Sequence, residues 1–233
     1  MDSPSTNRSP KHSSAIPSTP ATPETPVTTA QWLAWAKEVQ AIAQNGLAYS
    51  QDRPFDAQRY GRLQELATEM MASQTNLDDE QILAIFRHET GYATPKVDAR
   101  GVIFKDNKIL LVQELDGTWS LPGGWIDVNE SPREAVVREI WEESGYEARP
   151  IKLLSVFDRT KHPHQPKRPF HLYKLFILCE LTGGKPTTSI ETTGVDFFEE
   201  DNLPPISISR VTPCQIRRAF EHSRNPDWPT DFD

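Results

Sequence analysis

The 233-residue chain reads as an α/β domain preceded by a small all-helical module and a disordered N-terminal tail. Three observations predict this order. Residues 1–29 are dominated by Pro, Ser and Thr, and residues 30–92 carry apolar side chains at helical spacing. From 95 to 225, apolar or alternating runs bounded by turn residues are interleaved with segments that open on helix-cap signals.

The first 30 residues hold six Pro, six Ser and six Thr and scarcely a large apolar side chain. Such a segment buries too little surface to offset its ordering entropy, so the tail is expected to be disordered. In the module, Trp32, Trp35, Val39 and Ile42 outline a first helix, with Gly46 as its stop signal. Phe55, Tyr60, Leu63, Leu66 and Met70 outline a second, and Ile82, Leu83 and Phe86 a third starting near Asp78. In the α/β domain, strands are expected at 97–104 and 109–114, joined by a turn at Asp106-Asn107, with a second turn at Asp116-Gly117 before Trp119. Further strands are expected at 151–157, 170–181 and 195–198, and Thr212-Pro213 opens a closing helix through Phe220.

The segment 124–146, GWIDVNESPREAVVREIWEESGY, carries the chemistry. Ser131 suits an N-cap, Pro132 the first helical position, and Glu134 completes a capping box. Gly145 stands where a left-handed residue would end the helix. Between these signals Glu139, Glu142 and Glu143 fall at i, i+3 and i+4, so they share one side. Val136, Val137, Ile140 and Trp141 fall mostly on the other side, which is expected to pack on a core. Three carboxylates this close repel one another unless cations neutralise them. With no His or Cys on the helix, magnesium is the expected ion and manganese the alternative. An acidic helix face alone is weak evidence, since solvated ones held by pairs such as Arg138 with Glu142 are common. Gly123-Gly124, Glu130 and the caps make chance agreement improbable.

In this pattern the chain resembles the Nudix hydrolases, whose signature spans 23 residues. The resemblance implies an α/β/α sandwich around a mixed sheet, with the signature forming a loop–helix–loop element. It implies that Glu139, Glu142 and Glu143 hold magnesium together with the Gly123 carbonyl. It makes Glu130 and Arg138 a structural ion pair and Gly124 and Gly145 conformational positions. The implied reaction is attack of a metal-activated water on a nucleoside diphosphate linked to another group, X. The order of helical module then catalytic domain is similar to a bacterial subgroup in which the module dimerises and helps shape the substrate cleft. That subgroup suggests ADP-ribose or CDP-choline as substrate types, giving a nucleoside monophosphate and a phosphorylated X. Competing readings are hydrolysis of nucleoside triphosphates or RNA-end phosphates, and a non-catalytic ligand sensor. The intact carboxylate triad argues against the sensor.

Composition narrows the setting. A net charge of −8 argues against duplex nucleic-acid binding through a basic surface. Two cysteines, Cys179 and Cys214, are too few for a disulfide framework. No apolar run approaches the ~20 residues of a membrane span, and a cytoplasmic homodimer acting on a small nucleotide is the expectation.

Substrate choice is expected outside the signature. The segment 158–168, DRTKHPHQPKR, gathers Arg159, Lys161, His162, His164, Lys167 and Arg168 in an otherwise acidic chain, where they could hold phosphate oxygens. An ordinary basic loop is an equal reading of the residues; a similar stretch near the subgroup's cleft favours substrate binding. Glu191, in the loop before the strand at 195–198, stands beside Glu139 as a candidate general base. Trp119 is a candidate for base stacking, with a buried sheet position as the other reading. Asp98 and Arg100 share one sheet face and are candidates to line the cleft.

Overall fold

The computed structural model describes residues 28–49, 53–86, 89 and 91–233; the expected tail up to residue 27 lies outside them. Three helices come first, α1 (Thr29–Tyr49), α2 (Pro54–Ala72) and α3 (Asp79–Phe86). They close around Leu33, Ala36, Ala67, Met71 and Ile82. Of the stripe that outlined α1 in the sequence, only Val39 packs against this inward face. Trp32, Trp35 and Ile42 are exposed, and α1 instead buries Leu33, Ala36, Gln40, Ala43 and Gln44. Small side chains let two helix backbones come close, so α1 turns its smaller face to α2. Gly46 does not end α1, which continues to Tyr49. A Cβ at Gly46 would lie 2.4 Å from the Tyr60 ring, so the glycine serves the helix contact. Phe55 and Leu66 are likewise exposed on α2. Ahead of α3, the Asp78 carboxylate accepts from the Gln81 N–H at 2.8 Å and the Gln81 amide oxygen accepts from the Asp78 N–H at 3.0 Å.

Two hydrogen bonds tie the module to the segment that leads into the sheet domain. The Gln44 amide donates to the Gly91 carbonyl (3.2 Å), and the Ala93 N–H donates to Asn45 Oδ1 (2.7 Å).

The second part is a seven-stranded mixed sheet with helices on its faces. Its strands are β1 (Lys96–Lys105), β2 (Lys108–Glu114), β3 (Trp119–Ser120), β4 (Tyr146–Asp158), β5 (Leu172–Gly184), β6 (Thr192–Phe198) and β7 (Asp231–Phe232). The order is β3-β2-β1-β5-β4-β7, with β6 also paired to β2. The β1–β5 and β4–β7 pairs are parallel and the rest antiparallel. Helix α4 (Pro132–Ser144) covers one face and α5 (Pro213–Arg224) the other. Period-two alternation along β1 sorts the side chains: Ala99 and Ile103 meet Val136 and Ile140 of α4, while Val102 meets Ile216 and Phe220 of α5. Gly101 lies on the α4 side, where a Cβ would come 2.6 Å from the Ile140 side chain. Asp106 and Asn107 both have positive φ, 51° and 59°, as a tight hairpin turn between β1 and β2 requires. The short β7 was not legible in the sequence. It is held by Asp231, which accepts from Arg218 (2.6 and 2.8 Å) and stands 2.9 Å from His222 Nε2 on α5.

Candidate functional site

Helix α4 begins and ends as its residues dictate. The Ser131 hydroxyl accepts from the Glu134 N–H (3.3 Å), the Glu134 carboxylate accepts from the Ser131 N–H (2.9 Å), and Gly145 closes the helix at φ 72°. At about 100° per residue, with Ile140 at the centre of the buried stripe, Glu143 lies about 60° away, Glu139 about 100° and Glu142 about 160°. Glu143 therefore flanks the core while Glu142 faces out. Trp141 sits about 100° round on the opposite flank and is 60% exposed, contrary to the expectation that it packs inward.

The glycines at 123 and 124 bring the preceding loop against this face. Gly123 has φ 142°, and a Cβ there would lie 2.1 Å from the Ala99 carbonyl oxygen. A Cβ on Gly124 would lie 2.6 Å from the Glu139 carboxylate. The Gly101 and Ala99 N–H groups of β1 donate to the carbonyls of Pro122 and Gly124, skipping that of Gly123 between them. The Gly123 N–H donates to Glu143 at 2.8 Å. Arg138 binds Glu130 through two bonds of 2.7 and 2.8 Å, then reaches Glu139 (2.9 Å) and Glu142 (3.1 Å) with its third nitrogen. Glu130 thereby stays below the usual carboxylate range. Burial raises Glu139, and more strongly Glu143, whose carboxyl is pushed up to about 7 despite the nearby Arg100.

Among the described residues no three His, Cys, Asp or Glu side chains form a ready metal cluster. The geometry explains this: the Arg138 guanidinium supplies the positive charge between Glu139 and Glu142, and Glu143 is turned to a backbone donor. The donor set still suits a hard divalent ion, being carboxylate and carbonyl oxygen only. The space beside Gly124, which a Cβ would fill, belongs to Glu139.

Beside the glycine loop lies a buried ionic floor. Asp98, Arg100 and Lys174 are all under 5% exposed. Asp98 accepts from Arg100 (3.1 Å) and from Lys174. Burial opposes the Asp98 charge, but the two cations outweigh it and hold the carboxylate ionised. Asp98 Oδ1 and Arg100 Nε have no partner among the described residues. Arg159, Arg168 and Arg210 also line this floor beside Gly124 and Trp125, so cations outnumber its one carboxylate. Lys174 escaped sequence reasoning, although a lysine inside the apolar run LYKLFILC was a signal. The parallel register placing it opposite Asp98 was not.

A larger chamber of about 800 Å³ opens between the helical module and the sheet domain. Lys37, Gln40 and Gln44 of α1 line one side; Arg159, Lys167, Arg168 and Phe170 line the other. Burial and Arg159 push the Lys37 ammonium down to about 8, and burial with Arg168 lowers Arg159 to about 10. Arg159 and Arg168 line both the floor and the chamber.

The remaining candidate residues scatter. Lys161 is exposed and lines neither cavity. His162 packs on Phe157 and stands 3.3 Å from Asp233, away from both. His164 is fully buried, its Nδ1 2.9 Å from the Ile208 carbonyl oxygen, and it lines neither cavity, so it is not placed beside a bound phosphate. Trp119 is partly buried, packs edge-on against Phe198 with centroids 4.7 Å apart and lies against the core under α5; it lines neither cavity, which favours the sheet position over base stacking. Glu191 is exposed, but its neighbour Thr192 donates to the Glu143 carbonyl (2.8 Å), tying that loop to the end of α4.

A family model described as "UDP-X-like, N-terminal oligomerisation domain" matches residues 30–86, and one described as "NUDIX domain" matches residues 94–213. The chain is 49% identical to the Bacillus subtilis (strain 168) protein YjhB over 87% of this chain and 97% of that one; YjhB's name carries a provisional assignment as an ADP-ribose pyrophosphatase. Its structure is similar to an ADP-ribose pyrophosphatase from Streptococcus suis 89-1591, with 43% identity, TM-score 0.56, 60% of this chain and 100% of that one covered. It is also similar to a UDP-X diphosphatase, with 32% identity and TM-score 0.56 over 88% of this chain and 99% of that one. With the catalytic-domain match falling on the glycine loop and the carboxylate helix described above, this chain belongs to the Nudix hydrolase family.

Proposed function

We propose that the protein is a magnesium-dependent pyrophosphohydrolase, with manganese as an alternative ion, that cleaves nucleoside diphosphate-X compounds of the ADP-ribose or CDP-choline type. The products are a nucleoside monophosphate and a phosphorylated X. The observation that carries this reading is the junction of the carboxylate face at Gly123-Gly124 with a floor on which Arg100, Lys174, Arg159 and Arg168 outnumber Asp98. Nudix hydrolases use divalent metals, and Glu139, Glu142, Glu143 and the Gly123 carbonyl are the groups that would hold one. When bound, the ion supplies charge neutralisation on phosphate and an acidified water.

The chain's own residues do the rest. Glu130, through Arg138, fixes the loop against the helix. The buried cations hold diphosphate oxygens where water is excluded and their charge counts most. Glu139 and Glu191 are the two candidates to take the proton of the attacking water. The module's exposed Trp32, Trp35 and Ile42 suit a homodimer interface. Among the described residues no helix is long and apolar enough to cross a membrane. Both cysteines are unpaired, which suits a reducing cytoplasm. A magnesium-dependent screen of ADP-ribose, CDP-choline, nucleotide sugars and nucleoside triphosphates tests the proposal. Turnover of the diphosphate-X compounds is expected, and activity confined to triphosphates would overturn it.

A further inference from the structure

We propose that Gln40 reads the base of a bound nucleoside diphosphate, from the chamber that the helical module closes over the catalytic domain. This rests on the functional reading above and names a residue for its specificity. Gln40 lines the chamber and is 3% exposed, yet neither Nε2 nor Oε1 of its amide has a hydrogen-bond partner among the described residues. A buried, unpaired carboxamide works against stability, so its presence beside a cavity calls for a ligand.

The surroundings indicate which ligand. Lys37, one turn earlier on α1, lines the same chamber opposite Arg159, Lys167 and Arg168. Arg159 and Arg168 continue to the floor beside Gly124. An anion held by Arg159 and Arg168, which line both spaces, therefore leads its attached group into the chamber. Phe86 and Phe170 offer apolar faces there. A volume of about 800 Å³ lies within the ~300–1,000 Å³ usual for small-molecule sites. A carboxamide presents a donor beside an acceptor, the pattern that complements the edge of a nucleobase.

The test is isothermal titration of ADP, CDP, UDP and GDP into the full-length protein, Gln40→Leu and Gln40→Glu. The wild type should rank the four bases and Gln40→Glu should reorder them. In Gln40→Leu the best ligand should bind about tenfold more weakly and the ranking should flatten. Because Gln40→Leu removes an unpaired buried amide, its melting temperature should rise by about 2–5 °C, which separates lost recognition from lost folding. An unchanged ranking in Gln40→Leu, or a wild type that shows no base preference, overturns the proposal. So does a variant whose affinities shift between ADP-ribose and ADP-glucose but not between bases, since the amide would then read X. Hydrolysis assays on the same proteins keep the two claims apart. Base-ranked binding without cleavage defeats the reaction and leaves Gln40 in place; cleavage with a ranking indifferent to Gln40 does the reverse.

Discussion

Glu143 lies nearest the core of the three motif carboxylates, and burial there is what raises its carboxyl to about 7. Replacing its charge keeps the shape and removes the oxygen chemistry. Glu142→Gln and Glu143→Gln are each expected to lower kcat by at least about a hundredfold, with circular dichroism and melting temperature little changed. Wild-type turnover by the double variant would defeat the metal assignment. His164 makes a different prediction, about stability. Burial pulls its imidazole down to about 4, so the folded state keeps it neutral while the unfolded chain, near 6.5, takes a proton first. Its contribution is present above pH 6.5 and is lost as pH falls towards 4. Between pH 7 and pH 5 that loss is of order 2 kcal/mol. Urea denaturation at the two pH values should show a smaller loss in His164→Gln than in the wild type.

Helix α4 shows how much an element states about itself. Ser131, Pro132, Glu134 and Gly145 are local signals, and each takes the role its residue type predicts because capping depends on near neighbours in the chain. Ser131→Ala should cost about 1 kcal/mol and lower the melting temperature by a few degrees, measured by calorimetry; an unchanged transition would mean the cap adds nothing. The large apolar residues did not by themselves say which helix face turns inward. Trp141 and the Trp32, Trp35 and Ile42 stripe sit on genuine helices, but which face turns inward depends on the partner, not on the helix. On α1 the partner is α2, and close approach selects Ala36, Ala43 and Gly46 over tryptophan.

At the scale of the whole molecule, the exposed tryptophans left by that packing bear on assembly. Trp32→Glu with Trp35→Glu should convert a dimer into a monomer in size-exclusion chromatography with light scattering, whereas a wild type already of monomer mass would remove the dimer proposal. The basic segment 158–168 teaches the same lesson about position. Composition marked it, yet of its basic side chains only Arg159, Lys167 and Arg168 reach the cavities, while His164 is packed away and Lys161 and His162 line neither. By itself the sequence determined the family signature, the carboxylate helix with its caps and most of the strands, because these rest on short-range spacing. The tertiary structure alone decided that Lys174 lies opposite Asp98 and that Lys37 and Gln40 face Arg159 across a chamber. Those neighbours are far apart in sequence, and only the sheet's register and the docking of α1 bring them within reach.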